Sequence, residues 1–218
     1  MKVFIYKING NEIHDKELNK YYSKIDIIKR KQINNYVNDF DKSKCFIAHL
    51  IVYLYYKGNV SYEYNYNNKM LNVNSKDYFN ISYSGDYVVI VFNEHEVGID
   101  IEKINQISKS ELEHYASFSE RKIFTNKLEY TKLWCLKESY LKYLGCGITK
   151  NLKDIEFEKN GQKYICKNDR ELYIDVFQIE NCYICAVITD STKQTDIEFI
   201  DMKNIKLLIW LIIILMIV

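Results

Sequence analysis

At 218 residues the chain fits one large domain or two small ones tightly joined, and it is too short for a long multidomain array. Hydrophobic residues make up 48% and charged residues 27%, a globular balance that excludes intrinsic disorder and lets a core form without disulfide or metal staples. Thirty basic side chains against 29 acidic ones leave a formal net charge of +1, which argues against binding nucleic acid through overall charge. In chain order, Lys2 to Ile8 alternates as a first strand and ends at the turn signal Asn9-Gly10. Leu18, Tyr22, Ile25, Ile28 and Ile33 fall near helical spacing, and Phe40, Phe46, Ile47, Leu50 and Leu54 mark a second amphipathic helix. The segments SYEYNY, KMLNV, DYFNISYS and YVVIVF predict short strands, the last leading into VGIDIE.

The middle of the chain predicts helices. Ser110 with Glu113 and Ser117 with Glu120 both have the form of a capping box. Apolar residues at Leu133, Leu136, Tyr140 and Leu144 predict a helix over 129–144, ended by Gly145. A strand around Asp154 to Phe157, a hairpin turn at Asn160-Gly161 and strands at YICK, LYIDVFQI and CYICAVIT complete an α+β pattern. Strands and helices occur in two similarly sized halves, 1–96 and 97–204, with no Gly-, Ser- or Pro-rich linker between them, so the halves are expected to pack together.

Six cysteines follow a start with no apolar leader or small-residue cleavage site, which points to a reducing cytosol. Cys182-Tyr-Ile-Cys185 has metal-site spacing, but it sits in a strand-like run without a second such pair and reads as core. The four histidines are too scattered for a histidine metal site. Leu207 to Val218 is an unbroken apolar run of twelve residues. At ~1.5 Å per residue it reaches only ~18 Å, short of a ~30 Å hydrocarbon core. Three readings of this segment, 205–218, stay open: packing on the domain, a shallow membrane or partner contact edged by Lys203 and Lys206, or a non-native extension of the reading frame.

Three segments carry chemistry. In Val97-Gly98-Ile99-Asp100-Ile101-Glu102 the strand period puts Gly98, Asp100 and Glu102 on one face and the apolar residues on the other. Two carboxylates on one face are costly unless a cation or hydrogen-bond donors compensate them, and a hard divalent metal such as Mg²⁺ is one such cation. A solvated edge strand accounts for the same pattern. Trp134, Glu138 and Lys142 are spaced i, i+4, i+8 and so share one helix row, which an ordinary surface pair beside a core tryptophan also explains. Phe79-Asn-Ile-Ser-Tyr-Ser-Gly85 ends in small hydroxyl residues and a glycine, suited either to a phosphate or to a plain turn.

Together and in this order, NISYSG, VGIDIE and WCLKESYLK resemble the 4'-phosphopantetheinyl transferases of the larger single-chain, surfactin-synthetase-activating (Sfp-like) type. The family pattern runs approximately N-[IL]-S-H-S-G, G-[IV]-D-[IV]-E, F-[ST]-x-x-E and W-x-x-K-E-[AS]-x-x-K, and the resemblance covers roughly residues 1 to 200. It implies a pseudo-dimer of two similar α+β halves with the active site in the cleft between them. It further implies Mg²⁺ held by Asp100, Glu102 and Glu138 against the pyrophosphate of coenzyme A. The acceptor is then a serine of an acyl or peptidyl carrier protein, with Glu138 as base and Lys142 stabilising or protonating the departing 3',5'-ADP. Coenzyme A contacts implied by the family fall on Lys29, Lys44, Lys69, Ser82, Tyr83 and Lys142. Here Tyr83 stands where the family has histidine and Lys69-Met70 where it has Lys-Pro, while Glu120 answers to the glutamate of the F-[ST]-x-x-E segment. No nucleic acid or second copy is expected, since a pseudo-dimer already supplies both walls of its cleft. Two other readings of the same residues remain: a Mg²⁺-dependent nuclease or phosphohydrolase, and a family member that binds a carrier protein or membrane without turnover.

Overall fold

The computed structural model describes residues 1–64, 70–147, 150–191 and 194–217. The chain is built from one motif used twice. In the first copy, β1 (Lys2–Lys7) leads through α1 (Lys16–Asn19) and α2 (Ile27–Asn35) to the long α3 (Asp39–Tyr55). A small hairpin, β2 (Tyr62–Tyr64) and β3 (Met70–Asn72), precedes the antiparallel pair β4 (Tyr78–Ser84) and β5 (Tyr87–Asn93). In the second copy, β6 (Val97–Lys103) leads through α4 (Lys109–Tyr115) and α5 (Glu120–Ile123) to the long α6 (Lys127–Leu144). Again a small hairpin follows, β7 (Phe157–Asn160) and β8 (Lys163–Cys166), and then the pair β9 (Tyr173–Ile179) and β10 (Tyr183–Thr189). Both copies insert the last strand between the other two, giving the orders β1-β5-β4 and β6-β10-β9. This repeat is compatible with a pseudo-dimer.

Burial explains the strand sequences. Val3, Ile5, Val89 and Val91 meet Val97, Ile99, Ile101, Cys185 and Val187 in a core between the two sheets. The alternate residues Phe4, Tyr6, Val88, Ile90 and Phe92 pack under α3 with Phe46, Leu50 and Leu54. Ile184, Ala186 and Ile188 pack under α6 with Leu133, Leu136 and Tyr140. The order of layers is therefore helix, sheet, sheet, helix. β5 and β10, covered on both faces, read as continuous apolar runs for this reason. Cys185 belongs to the core between the sheets, and Cys182 is an exposed free thiol beside it.

Local expectations were corrected in several places. The helix expected through residues 18 to 33 is broken, because Asp26 starts a fresh helix by accepting from the Ile28 N–H at 2.8 Å. The capping box of α4 pairs Ser108 with Glu111 rather than Ser110 with Glu113, since Ser108 has the extended backbone an N-cap needs. Ser117 and Glu120 do exchange reciprocal bonds ahead of α5. A 3₁₀ turn at Leu152–Asp154 replaces the start of the expected strand, which runs from Phe157 instead. α6 ends as expected, with Gly145 in the left-handed conformation at φ 70°.

The end of the chain returns to the first sheet. β11 (Asp196–Ile200), which the sequence reading did not anticipate, pairs in parallel with β1, from Lys2 opposite Asp196 to Tyr6 opposite Ile200. α7 (Met202–Ile217) then packs on α3, burying Ile205, Ile209 and Ile212 in the first core. Lys206 fixes it further with ion pairs to Asp15 at 2.9 Å and Glu17 at 2.8 Å. Leu207, Leu208, Trp210 and Leu211 face outward. Among the described residues no helix is long and apolar enough to cross a membrane.

Candidate active site

The two copies meet where β4 runs beside β6, and side chains take the place of a backbone ladder there. Asn80 Oδ1 accepts from the Ile99 N–H at 3.2 Å, Ser82 Oγ from Ile101 at 3.4 Å and Ser84 Oγ from Lys103 at 3.1 Å. The same hydroxyls donate onward: Ser82 to Asp100 Oδ1 at 2.8 Å and Ser84 to Glu102 Oε2 at 2.9 Å. Each serine thus uses its donor and an acceptor at once, tying the edge of one sheet to the carboxylates of the other. The strand period explains the choice of residues, since Asn80, Ser82 and Ser84 share one face of β4.

The third wall is α6. Gly98 brings β6 against it: a Cβ there would fall inside van der Waals contact of the Ser139 carbonyl oxygen and the Tyr143 backbone nitrogen. Both are backbone atoms, so relief requires moving the helix itself. We expect Gly98→Ala to cost about 1–3 kcal/mol in urea unfolding and to lower activity further by displacing Glu138 from Asp100. A variant with parental stability and activity would refute this reason for the glycine.

With the helix this close, the row Trp134, Glu138, Lys142 lies over Asp100 and Glu102. Lys142 Nζ is 2.6 Å from Asp100 Oδ1 and 2.8 Å from Ser82 Oγ. Burial raises the pKa of Glu102 above the carboxylate range, helped by the charge of Asp100 and opposed by Ser84, Lys142 and the Trp134 side chain. Burial also raises that of Glu138, again with Asp100 pushing it up and Lys142 pulling it down. Three acidic groups and one ammonium therefore share a site short of positive charge.

Among the described residues, no three His, Cys, Asp or Glu side chains stand close enough to hold a metal ion as placed. The donor set nonetheless fits a hard divalent cation. Asp100 Oδ2 and Glu138 Oε1 are buried oxygens with no hydrogen-bond partner, and Lys142 already puts a cation on Asp100.

The remaining candidates lie elsewhere. Tyr83 points to the opposite face of β4 from Ser82, packs against the first core and contacts Cys45. Lys29 is close enough to Cys45 and His49 to affect both electrostatically, which places it on the same side as Tyr83. Lys44 pairs with Asp41 at 2.7 Å and sits over the Phe40 ring. Lys69 lies outside the described residues. Glu120 is fully buried and faces Lys137, away from the carboxylate cluster. Asn80, Ser84 and the buried Lys137–Glu120 pair were not assigned roles from the sequence. The polar residues at every second position of β4 were the available signal for the first two.

An α+β repeat with acidic groups from its second sheet and helix, closed by hydroxyls from the first, defines a carboxylate-rich site between two lobes. Residues 96–188, which span β6 to β10, match the family model described as the 4'-phosphopantetheinyl transferase superfamily. The chain is 26% identical over 202 residues to the 4'-phosphopantetheinyl transferase gsp of Aneurinibacillus migulanus, covering 84% of this chain and 85% of that one. It is 32% identical over 120 residues to the 4'-phosphopantetheinyl transferase Sfp of Bacillus subtilis, covering 50% and 54%. Against the human L-aminoadipate-semialdehyde dehydrogenase-phosphopantetheinyl transferase it is 36% identical over 96 residues, 37% of this chain and 31% of that one. The second half of the chain is thus similar to the 4'-phosphopantetheinyl transferase superfamily, and a weaker likeness to gsp extends over most of its length.

Proposed function

We propose that this protein transfers the 4'-phosphopantetheine group of coenzyme A to a serine hydroxyl of an apo acyl or peptidyl carrier protein. The serine oxygen bonds to phosphorus, the phosphorus–oxygen bond to 3',5'-ADP breaks, and the serine proton passes to a base. The observation that carries this reading is the convergence of Asp100, Glu102 and Lys142, inside the segment matched by the family, on hydroxyls of the other copy, with Glu138 close enough to feel their charges.

Asp100, Glu102 and Glu138 would hold Mg²⁺, which when bound neutralises charge on the pyrophosphate. The raised pKa of Glu138 suits it to accept the serine proton directly or through water. Lys142, one helix turn on, offers an ammonium to the leaving 3',5'-ADP. Lys29, Lys44 and Lys69 would meet the nucleotide end of coenzyme A from the first copy, whereas Tyr83, packed into the first core on the far face of β4, would support that wall without touching the nucleotide. Trp134 lines a groove of about 350 Å³ with Ile107, His114, Tyr115 and Leu152, next to the carboxylates, and this is the surface proposed for the carrier protein. The reaction would take place in the cytosol, and one chain supplies both walls of the site.

Mass spectrometry of an apo carrier protein incubated with the enzyme, coenzyme A and Mg²⁺ tests the reading. A gain of about 340 Da, one phosphopantetheine group, is expected, lost with EDTA or with Asp100→Ala. No gain on several carrier types by folded protein would overturn it.

A further inference from the structure

Resting on the metal-site reading above, the geometry points to a second role for Lys142: it is the counter-ion of the metal-free site, and it must leave Asp100 Oδ1 when a divalent cation enters. Lysine and metal compete for the charge of one carboxylate, the lysine on Oδ1 and the unpartnered Oδ2 open to the metal. Lys142 Nζ lies 2.6 Å from Oδ1 and is steadied by Ser82 Oγ at 2.8 Å. An entering cation would find Asp100 Oδ2 and Glu138 Oε1 already buried and without partners. What separates them from a closed set of ligands is the ammonium lodged at Asp100, in a cluster where no three acidic side chains are yet drawn together.

The ammonium has a route out, because the Lys142 side chain keeps 28% of its exposure while Asp100 keeps 5%, and an incoming cation would replace the charge it takes away. A flexible four-carbon stem connects the buried contact to solvent. Without Lys142, three carboxyl groups would face one another with only Ser82, Ser84 and Trp134 to compensate them. Lysine in place therefore keeps the empty site folded, and lysine displaced frees a cation beside the reacting groups as the metal arrives. Coupling of this kind ties the availability of the lysine to metal occupancy.

The test uses the full chain without coenzyme A or carrier protein. Mn²⁺ is titrated by calorimetry into the parent, Lys142→Met, Lys142→Gln and Asp100→Asn. Removing a unit charge that faces the incoming cation at this range is expected to tighten binding about tenfold or more in both lysine variants. In the parent, Mn²⁺ should also increase acylation of Lys142 by an amine-reactive ester, read by peptide mass spectrometry. Lysine variants that bind no tighter than the parent, or Lys142 labelling that is unchanged by Mn²⁺, would overturn the inference. If binding is then still lost in Asp100→Asn, the metal-site reading survives that failure. Absence of Mn²⁺ binding to every protein would overturn both.

Discussion

Glu138→Gln is expected to lower phosphopantetheine transfer by about 10²-fold or more and, at the same time, to make the metal-free protein more resistant to heat at neutral pH. The two effects share a cause. Burial and the charge of Asp100 raise the Glu138 carboxyl above its usual range, so the folded protein holds that proton more tightly than the unfolded chain. Its favourable contribution is complete below the unfolded carboxylate pKa of about 4.3 and is lost as pH rises through the higher folded value. Once ionised, the group is a burden on the fold that a neutral amide of the same shape removes. Glu102, raised by the same causes, adds to the burden. Thermal melts in EDTA from pH 4 to 8 should show the variant gaining on the parent as pH rises, and excess Mg²⁺ should narrow the gap by stabilising only the parent. A variant less stable than the parent at pH 7, or one that keeps parental activity, would sink this account.

Lys137→Ala is expected to be the most damaging substitution to stability, although Lys137 adjoins Glu138 in sequence and touches none of the reacting groups. Its ammonium donates to Glu120 Oε2 and to the carbonyls of Leu152 and Ile155, each at 2.7 Å, and to the Tyr115 carbonyl at 2.9 Å. Glu120 in turn accepts from the Ser117 N–H at 2.8 Å and the Phe157 N–H at 2.9 Å. Neither side chain of the pair is exposed. One lysine thereby gathers the end of α4, the start of α5 and the approach to β7 around α6. Burial pulls its pKa down and the charge of Glu120 pulls it back up. Truncation leaves a buried carboxylate and three buried carbonyls without their cation, a loss of about 3–5 kcal/mol, equivalent to a Tm lower by about 10 °C or more. Lys137→Met combined with Glu120→Gln should recover part of this, since it removes the stranded charge. Urea unfolding of the two single variants and the double decides the matter. Additive losses would show that the two residues do not act as a pair.

These two clusters of charged residues show what the sequence could and could not disclose. Asp100, Glu102, Glu138 and Lys142 were legible because strand and helix periods fix which side chains share a face, and the structure needed only to bring the two faces together. The repeated α+β pattern was legible for the same reason. Tyr83 was harder, since its motif names a position without saying which face of β4 looks toward the carboxylates. The pairing of Lys137 with Glu120 is a contact across seventeen residues, set by how α5 folds back on α6, and no local period encodes it. β11 escaped notice because its partner is the first strand of the chain, and pairing at that separation leaves no nearby turn signal.

That pairing sets a constraint on biosynthesis. β1 is made well before β11, so one of its two edges stays open until residues 196–200 arrive. The apolar surface of α3 likewise waits for Ile205, Ile209 and Ile212. The nascent first repeat must therefore carry an unfilled strand edge and an uncovered helix until residues 196–212 have been made, a template for mispairing. Residues 196–212 act as a clasp, and its closure is the step that makes the first repeat safe from aggregation.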